Sequence, residues 1–227
     1  MELITQENWI AELPAVARDA MISRMSYREL APGKDIVRAG DAPRKMVQVV
    51  SGYVRLSGIQ TDGRRSLITI YGPGNSYGET ALVSHRDFNH TTTTMTVVEV
   101  GELATNDFWE VYHRYPEIPE ALCRKFARAI SRQIVGRDLR AEHRLGERIV
   151  MLFENLAVRC GRREGDRVTI LIPFSQTDIA DHFDVTRQSV QREVTALKRA
   201  GLLEKRDGNW TFFQRPRSGS PHLNTER

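Results

Sequence analysis

The densest chemistry in the chain lies between Ser175 and Leu203, in SQTDIADHFDVTRQSVQREVTALKRAGLL. An arginine fork matches guanine O6 and N7, and a glutamine amide pairs with adenine N6 and N7, so Arg187, Gln188 and Arg192 read as contacts to base edges in a DNA major groove. Thr186, Ser189, Gln191 and Thr195 suit backbone or peripheral contacts, as do Lys205 and Arg206 just downstream. Such residues read DNA only if a rigid element carries them. Ser175 and Asp178 have capping-box spacing and open a short helix from Gln176 to about His182. Phe183-Asp184-Val185 makes a turn, and Thr186 caps a second helix that runs to Ala200 and stops at Gly201. Val190, Val194 and Leu197 share its inner face and pack toward Ile179, Ala180 and Val185, which leaves the polar side chains outward. Two helices on a short turn form a helix-turn-helix, with the start of the second helix aimed at the groove. The bland alternative is a solvated polar helix face. LLEKRDGNWTFF then reads as a hairpin turning at Asp207-Gly208, a wing whose Lys205 and Arg206 meet phosphates.

The composition fits that partner. A formal net charge of +4 hides basic residues crowded from Arg124 onward and again from Arg187 to Arg206, which favours a polyanion. The 227 residues suit two domains better than one. Cys123 and Cys160 lie far apart with no CxxC pairing, so neither a disulfide framework nor a cysteine-bound cluster is expected. No apolar run reaches about 18 residues and the first residues, MELITQENWI, lack a signal-peptide pattern, so a cytoplasmic protein with no membrane partner is expected.

The first half alternates short β-prone runs with turn signals at Pro32-Gly33, Gly40-Asp41, Ser51-Gly52, Asp62-Gly63 and Gly72-Pro73-Gly74, the pattern of an antiparallel sandwich or roll. Ahead of it, Trp9 to Met25 has helical apolar spacing interrupted by Pro14. The run LAPGKDIVRAGDAPRKMVQVVSGYVRL…DGRRSLITIYGPGNSYGETAL resembles the effector domain of the cyclic-AMP receptor protein/FNR family of bacterial transcription regulators, and with the second half the likeness covers almost the whole chain. The resemblance implies an α+β fold: a cyclic-nucleotide-binding-like β-roll over 1–115, a dimerisation helix over 116–144 and a winged helix-turn-helix over 145–215. The polar composition of 216–227 reads as a disordered tail.

The resemblance also implies an effector pocket. In the family a Gly-Glu turn holds a cyclic phosphate on backbone amides while the Glu accepts a ribose hydroxyl, and an Arg-Ser or Arg-Thr pair neutralises the phosphate. Gly78, Glu79, Thr80 and Ala81 match the turn, but Asn89 and His90 stand where the clamp belongs, so the Arg-Ser pair is absent and Arg86 substitutes only if the loop is rearranged. A buried phosphate without a counter-charge is costly. Cyclic AMP or another nucleotide stays open as effector, beside the reading that Gly78-Glu79 serves fold geometry alone. The family's oxygen sensors carry N-terminal cysteines that this chain lacks, so no iron–sulfur cluster is expected; His85, His90 and His113 are candidate haem ligands or plain surface residues.

Between Pro116 and Arg144, Leu122, Phe126 and Ile130, followed by Gln133 and Ile134, fall near one stripe of a long helix, which either pairs with a twin or packs on its own domain. Where the family's cyclic-AMP binders touch adenine from this helix, the chain has Gln133 and Ile134. The TRQSVQR stretch matches the family's Arg-Glu-x-x-x-Arg reading motif with Gln188 in place of Glu, which alters the half-site. The implied function is a homodimeric regulator that binds a palindromic DNA site under control of the first domain and contacts RNA polymerase, with no enzymatic activity. The competing class is a nucleotide-sensing module whose output is a protein contact.

Overall fold

The computed structural model describes residues 3–4, 7–59, 65–206 and 208–213; at 65 and 136–141 only the backbone course is described. Asp207 and the 216–227 tail lie outside the described residues.

Trp9, Ile10 and Leu13 are buried in turns that precede Pro14, and α1 (Ala15–Ile22) begins immediately after it. Proline lacks the N–H a helix interior needs but is accommodated at a helix start, so the helical spacing from Trp9 resolves into turns followed by a helix. Among the described residues, eight strands make the roll: β1 (Ser26–Leu30), β2 (Asp35–Val37), β3 (Lys45–Ser51), β4 (Val54–Ile59), β5 (Arg65–Tyr71), β6 (Ser76–Tyr77), β7 (Thr91–Thr94) and β8 (Val98–Ala104), with the short helix α2 (Glu79–Ser84) between β6 and β7. They form two four-stranded antiparallel sheets, ordered β1-β8-β3-β6 and β2-β7-β4-β5. The segment VQVVSGYVRL is therefore two strands in different sheets. The chain changes sheet at Gly52, whose φ is +79° and where a Cβ would stand 2.2 Å from the Val97 carbonyl oxygen. Val47, Val49, Val54, Val98 and Val100 fill the space between the sheets.

Helices α3 (Thr105–Arg114) and α4 (Glu117–Glu142) follow. With α1 they cover one side of the roll, closing a second core around Trp9, Met21, Met46, Leu103 and Phe108. Each of these large side chains contributes about 2 kcal/mol by leaving water. The start of α4 belongs to that core: Leu122, expected on a dimer stripe, is 2% exposed within its own domain and Phe126 packs on the same cluster. The reason is local, since the first turns of α4 still run beneath α1 and α3. Free apolar surface appears only further along, at Ile130 (61% exposed), Ile134 and Val135.

The C-terminal part comprises α5 (Leu145–Cys160), β9 (Gly161–Glu164), β10 (Arg167–Ile170), α6 (Gln176–Phe183), α7 (Arg187–Arg199), β11 (Leu203–Arg206) and β12 (Asn209–Phe213), with strand order β11-β12-β10-β9. GRREGDR forms a hairpin that bends at Gly165, at φ +67°. Ile149, Leu152, Phe153 and Leu156 of α5 pack with Trp210, Phe212, Val190 and Val194. Leu3, Ile4, Leu67 and Ile70 from the N-terminal half join this cluster, so the two halves share one apolar interface. Polar bonds fix its register: Asn155 Oδ1 accepts from the Leu3 and Ile4 amides at 3.1 Å each, and the Tyr53 hydroxyl donates to the Arg159 carbonyl at 2.8 Å.

Candidate nucleic-acid interface and effector pocket

The helix-turn-helix is assembled by local bonds. Ser175 Oγ accepts from the Asp178 amide at 3.2 Å, while Asp178 Oδ2 accepts from the Ser175 amide at 2.7 Å, completing the capping box. Helix α6 ends at Asp184, which adopts φ 54° and ψ 52°; a short polar side chain tolerates this left-handed conformation better than most. The Thr186 hydroxyl then accepts from the Ser189 amide at 3.2 Å and caps α7. Thr186 and Ser189 are also bonded to each other at 2.9 Å, so their polar atoms already hold the helix start.

With Val190 and Val194 fully buried on the inner face, α7 turns its polar side outward. Gln188, Gln191, Arg192, Thr195 and Arg199 line one shallow concavity. Arg187 is exposed at the N-terminal end, off that concavity. Arg192 has only a 3.4 Å contact to Glu193 among its described charged neighbours, and its side chain is 79% exposed, so its fork is open to a ligand. Gln191 and Thr195 lie on the same outward face as Gln188 and Arg192. Thr195 donates its hydroxyl proton to the Gln191 carbonyl at 2.7 Å, leaving an oxygen acceptor and a methyl for a partner. Sequence reasoning overlooked Arg199, although seven residues past Arg192 on a helix is the same face. On the wing, Lys205 lies 4.9 Å from the Trp210 ring centre and Arg206 pairs with Glu204 at 2.6 Å; both are exposed.

A cavity of about 380 Å³ lies between the roll and α4. Gly78, Glu79, Thr80, Ala81 and Arg86 line it as the sequence suggests, joined by Lys125, Phe126, Ala129 and Arg132 of α4. Gln133 does not: it is exposed to solvent, because Lys125, Ala129 and Arg132 follow one helix face and the next residue lies about 100° away. Gly78 has φ +101°, and a Cβ there would meet the Lys45 carbonyl oxygen at 2.7 Å, so glycine is required for the fold whatever the cavity holds.

Glu79 is buried and engaged from within. Its Oε1 accepts from Trp9 Nε1 at 3.0 Å, from Lys125 Nζ at 2.8 Å and from the Ser76 hydroxyl. Burial pushes this carboxyl up, but the Lys125 charge and the bonds from Lys125 and Ser76 outweigh it and hold the group below its ordinary range. Arg132 pairs with Glu7 at 2.7 Å, and Arg128 grips Glu12 with both terminal nitrogens at 2.9 and 2.8 Å. Burial lowers the pKa of His90, whose Nδ1 lies 2.8 Å from Asn89 Oδ1, so this stretch offers a neutral ring rather than a phosphate clamp. His85 and His113 each stack on Trp109 at 5.5 Å. Among the described residues no three His, Cys, Asp or Glu side chains converge as metal ligands. Cys160 is buried, with its thiol pushed up by burial to about 12, while Cys123 is exposed.

Comparison with known proteins matches residues 27–115 to the cyclic nucleotide-binding domain and residues 143–217 to the Crp-like helix-turn-helix domain. The nitrogen fixation regulation protein FixK of Rhizobium meliloti (strain 1021) is 31% identical over 82% of this chain and 81% of its own length. The CRP-like cAMP-activated global transcriptional regulator of Mycobacterium tuberculosis is 23% identical over 81% of this chain and 82% of its own. Among solved structures, the c-di-GMP responsive global regulator CLP of Xanthomonas campestris superposes with a TM-score of 0.74 at 19% identity, covering 89% of this chain and all of that one. FixK2 of Bradyrhizobium japonicum gives 0.69 at 18%, covering 84% and 93%.

Proposed function

Because the chain belongs to the CRP/FNR family of transcription regulators, we propose that it binds a two-fold symmetric duplex DNA site as a homodimer, reading bases with α7 of each copy. The outward face of α7 carries this reading: Gln188 and Arg192 are exposed on a helix whose inner face is buried at Val190 and Val194 and whose start is capped by Thr186. An Arg fork discriminates guanine by about 1–3 kcal/mol, and Gln188 favours adenine. Arg187 reads the base nearest the helix start, while Gln191, Thr195, Arg199, Lys205 and Arg206 supply phosphate and groove-edge contacts that set register. The homodimer forms along α4, where Ile130 and Ile134 stand exposed four residues apart, a spacing that suits a helix seam. The protein acts in the cytoplasm and contacts RNA polymerase from its DNA-bound state.

The family's sensor domain and the cyclic-AMP-activated relative make cyclic AMP the nucleotide to test first. Selection of sites from a random duplex pool at fixed salt, with and without cyclic AMP, tests the reading. Enrichment of a palindrome with half-sites about one helical turn apart supports it. No enrichment in either condition refutes it and favours an output through protein contact.

A further inference from the structure

The cavity beneath α4 is lined by ionisable groups that already neutralise one another. Glu7, Glu79 and Asp87 face Arg86, Lys125 and Arg132, and His90 is held toward its neutral form by burial. Two of the three cations are engaged by lining carboxylates, Lys125 at 2.8 Å from Glu79 and Arg132 at 2.7 Å from Glu7. A cyclic phosphate entering here would add a negative charge with only Arg86 to meet it, and Arg86 sits on the exposed side. An unmatched charge in a largely buried site is disfavoured strongly enough to keep the ligand out.

Lys125 does more than neutralise. Its ammonium donates to the Ser76 carbonyl at 2.9 Å and the Ser76 hydroxyl at 3.1 Å as well as to Glu79, so all its bonds run from α4 into the roll. Arg128 and Arg132, three and seven residues further along the same helix, reach the N-terminal segment at Glu12 and Glu7. The Asn75 amide beside them donates to the Glu7 carbonyl at 3.1 Å. These bonds tie α4, the roll and the N-terminal segment together with side chains the chain itself supplies.

Resting on the regulator reading above, we infer that Lys125 is a built-in counter-ion to Glu79 that takes the place of an effector, seating α4 on the roll so that DNA binding needs no cyclic nucleotide. Because Trp9 Nε1 donates to the same Glu79 oxygen, its indole resonance reports directly on the site. The test uses the selected DNA site and the full-length wild type, Lys125→Met, Lys125→Gln and Arg124→Met. The last removes a neighbouring charge that pairs with Glu120 along the helix. DNA affinity and the Trp9 indole resonance are measured with and without cyclic AMP, and thermal transitions verify folding. Wild type should bind DNA without nucleotide, with cyclic AMP changing its affinity by less than about twofold and leaving the Trp9 resonance in place. Lys125→Met should shift that resonance and weaken DNA binding by about tenfold or more. Lys125→Gln, which keeps a donor but no charge and is the gentler change should Lys125→Met not fold, should fall between, and Arg124→Met should match wild type. Equal affinity for wild type and both Lys125 variants, or a wild type that cyclic AMP tightens about tenfold, would overturn the counter-ion role while leaving the regulator reading intact. A wild type that binds no DNA under either condition would overturn both.

Discussion

Arg192 and Gln188 stand one turn apart on the same exposed face of α7, yet they answer to different bases, so their loss should be separable. Arg192→Ala should cost about 1–3 kcal/mol on the best site and relax preference at one base pair. Lys205→Ala should weaken all sequences alike and reduce the salt dependence of binding by roughly one counter-ion. Titration against single-base variants at several salt concentrations separates the two, and uniform loss for Arg192→Ala would reassign it to the backbone. Glu79 permits a second prediction, on pH. Its folded carboxyl titrates below the ordinary value of about 4.3, so its contribution to stability is complete above that value and is lost as pH falls through the lower, folded value. Glu79→Gln leaves the partly buried Lys125 beside a neutral amide and should cost about 3 kcal/mol at neutral pH. The gap between variant and wild type should narrow on acidification, read as urea midpoints between about pH 6 and 3; a constant gap would mean that the charge does not matter. The residues on α7 were legible in the sequence because caps and helical faces depend on neighbours three or four positions away. The partners of Glu79 were not, since Trp9 and Lys125 approach it from distant parts of the chain and no spacing rule connects them.

At the scale of elements, α4 is divided by what covers it. Its first turns are sealed by α1 and α3, and only from Ile130 onward is apolar surface left without an intramolecular partner among the described residues. The sequence reading found the helix and its apolar content but not this division: periodicity specifies which side is apolar, not where along its length the covering elements stop. The same limit misassigned Gln133, where an error of one position turns a side chain by about 100°. Asp184 falls where the sequence places a turn between the two helices, and it takes the left-handed backbone there. The division yields a third prediction. Ile130→Glu places a charge on surface that is exposed in one copy, so the monomer should keep its thermal stability, whereas two such charges facing each other across a seam should weaken dimerisation by about tenfold or more. Sedimentation should show dissociation at concentrations where wild type stays paired, with DNA affinity falling in parallel. A dimer unaffected by Ile130→Glu would place the interface elsewhere.

For the whole molecule, what matters is how firmly the reading head is held by the roll. Asp178 both caps α6 and pairs with Arg55 of β4, and Asp181, one turn on, accepts from the Leu67 amide of β5 at 3.2 Å. Burial lowers the Arg55 pKa and the nearby Asp181 charge raises it, the burial dominating, so the guanidinium is an expensive group to leave there without a carboxylate. Arg55→Met removes the charge but leaves Asp178 bonded to Ser175, so the helix-turn-helix should stay folded while its attachment loosens. The apolar contacts of Leu3, Ile4, Leu67 and Ile70 oppose separation, and the loss should therefore appear as partial opening rather than as two independent domains. Hydrogen exchange distinguishes these outcomes. The Leu67 amide, whose acceptor lies across the interface, should exchange about tenfold faster in Arg55→Met, while amides within α7 should keep wild-type protection. If both sets accelerate together, roll and reading head open as one cooperative unit, and a signal from the sensor domain would have to act through the dimer seam instead. If only Leu67 responds, the Arg55 contact governs how freely the recognition helix moves relative to the roll.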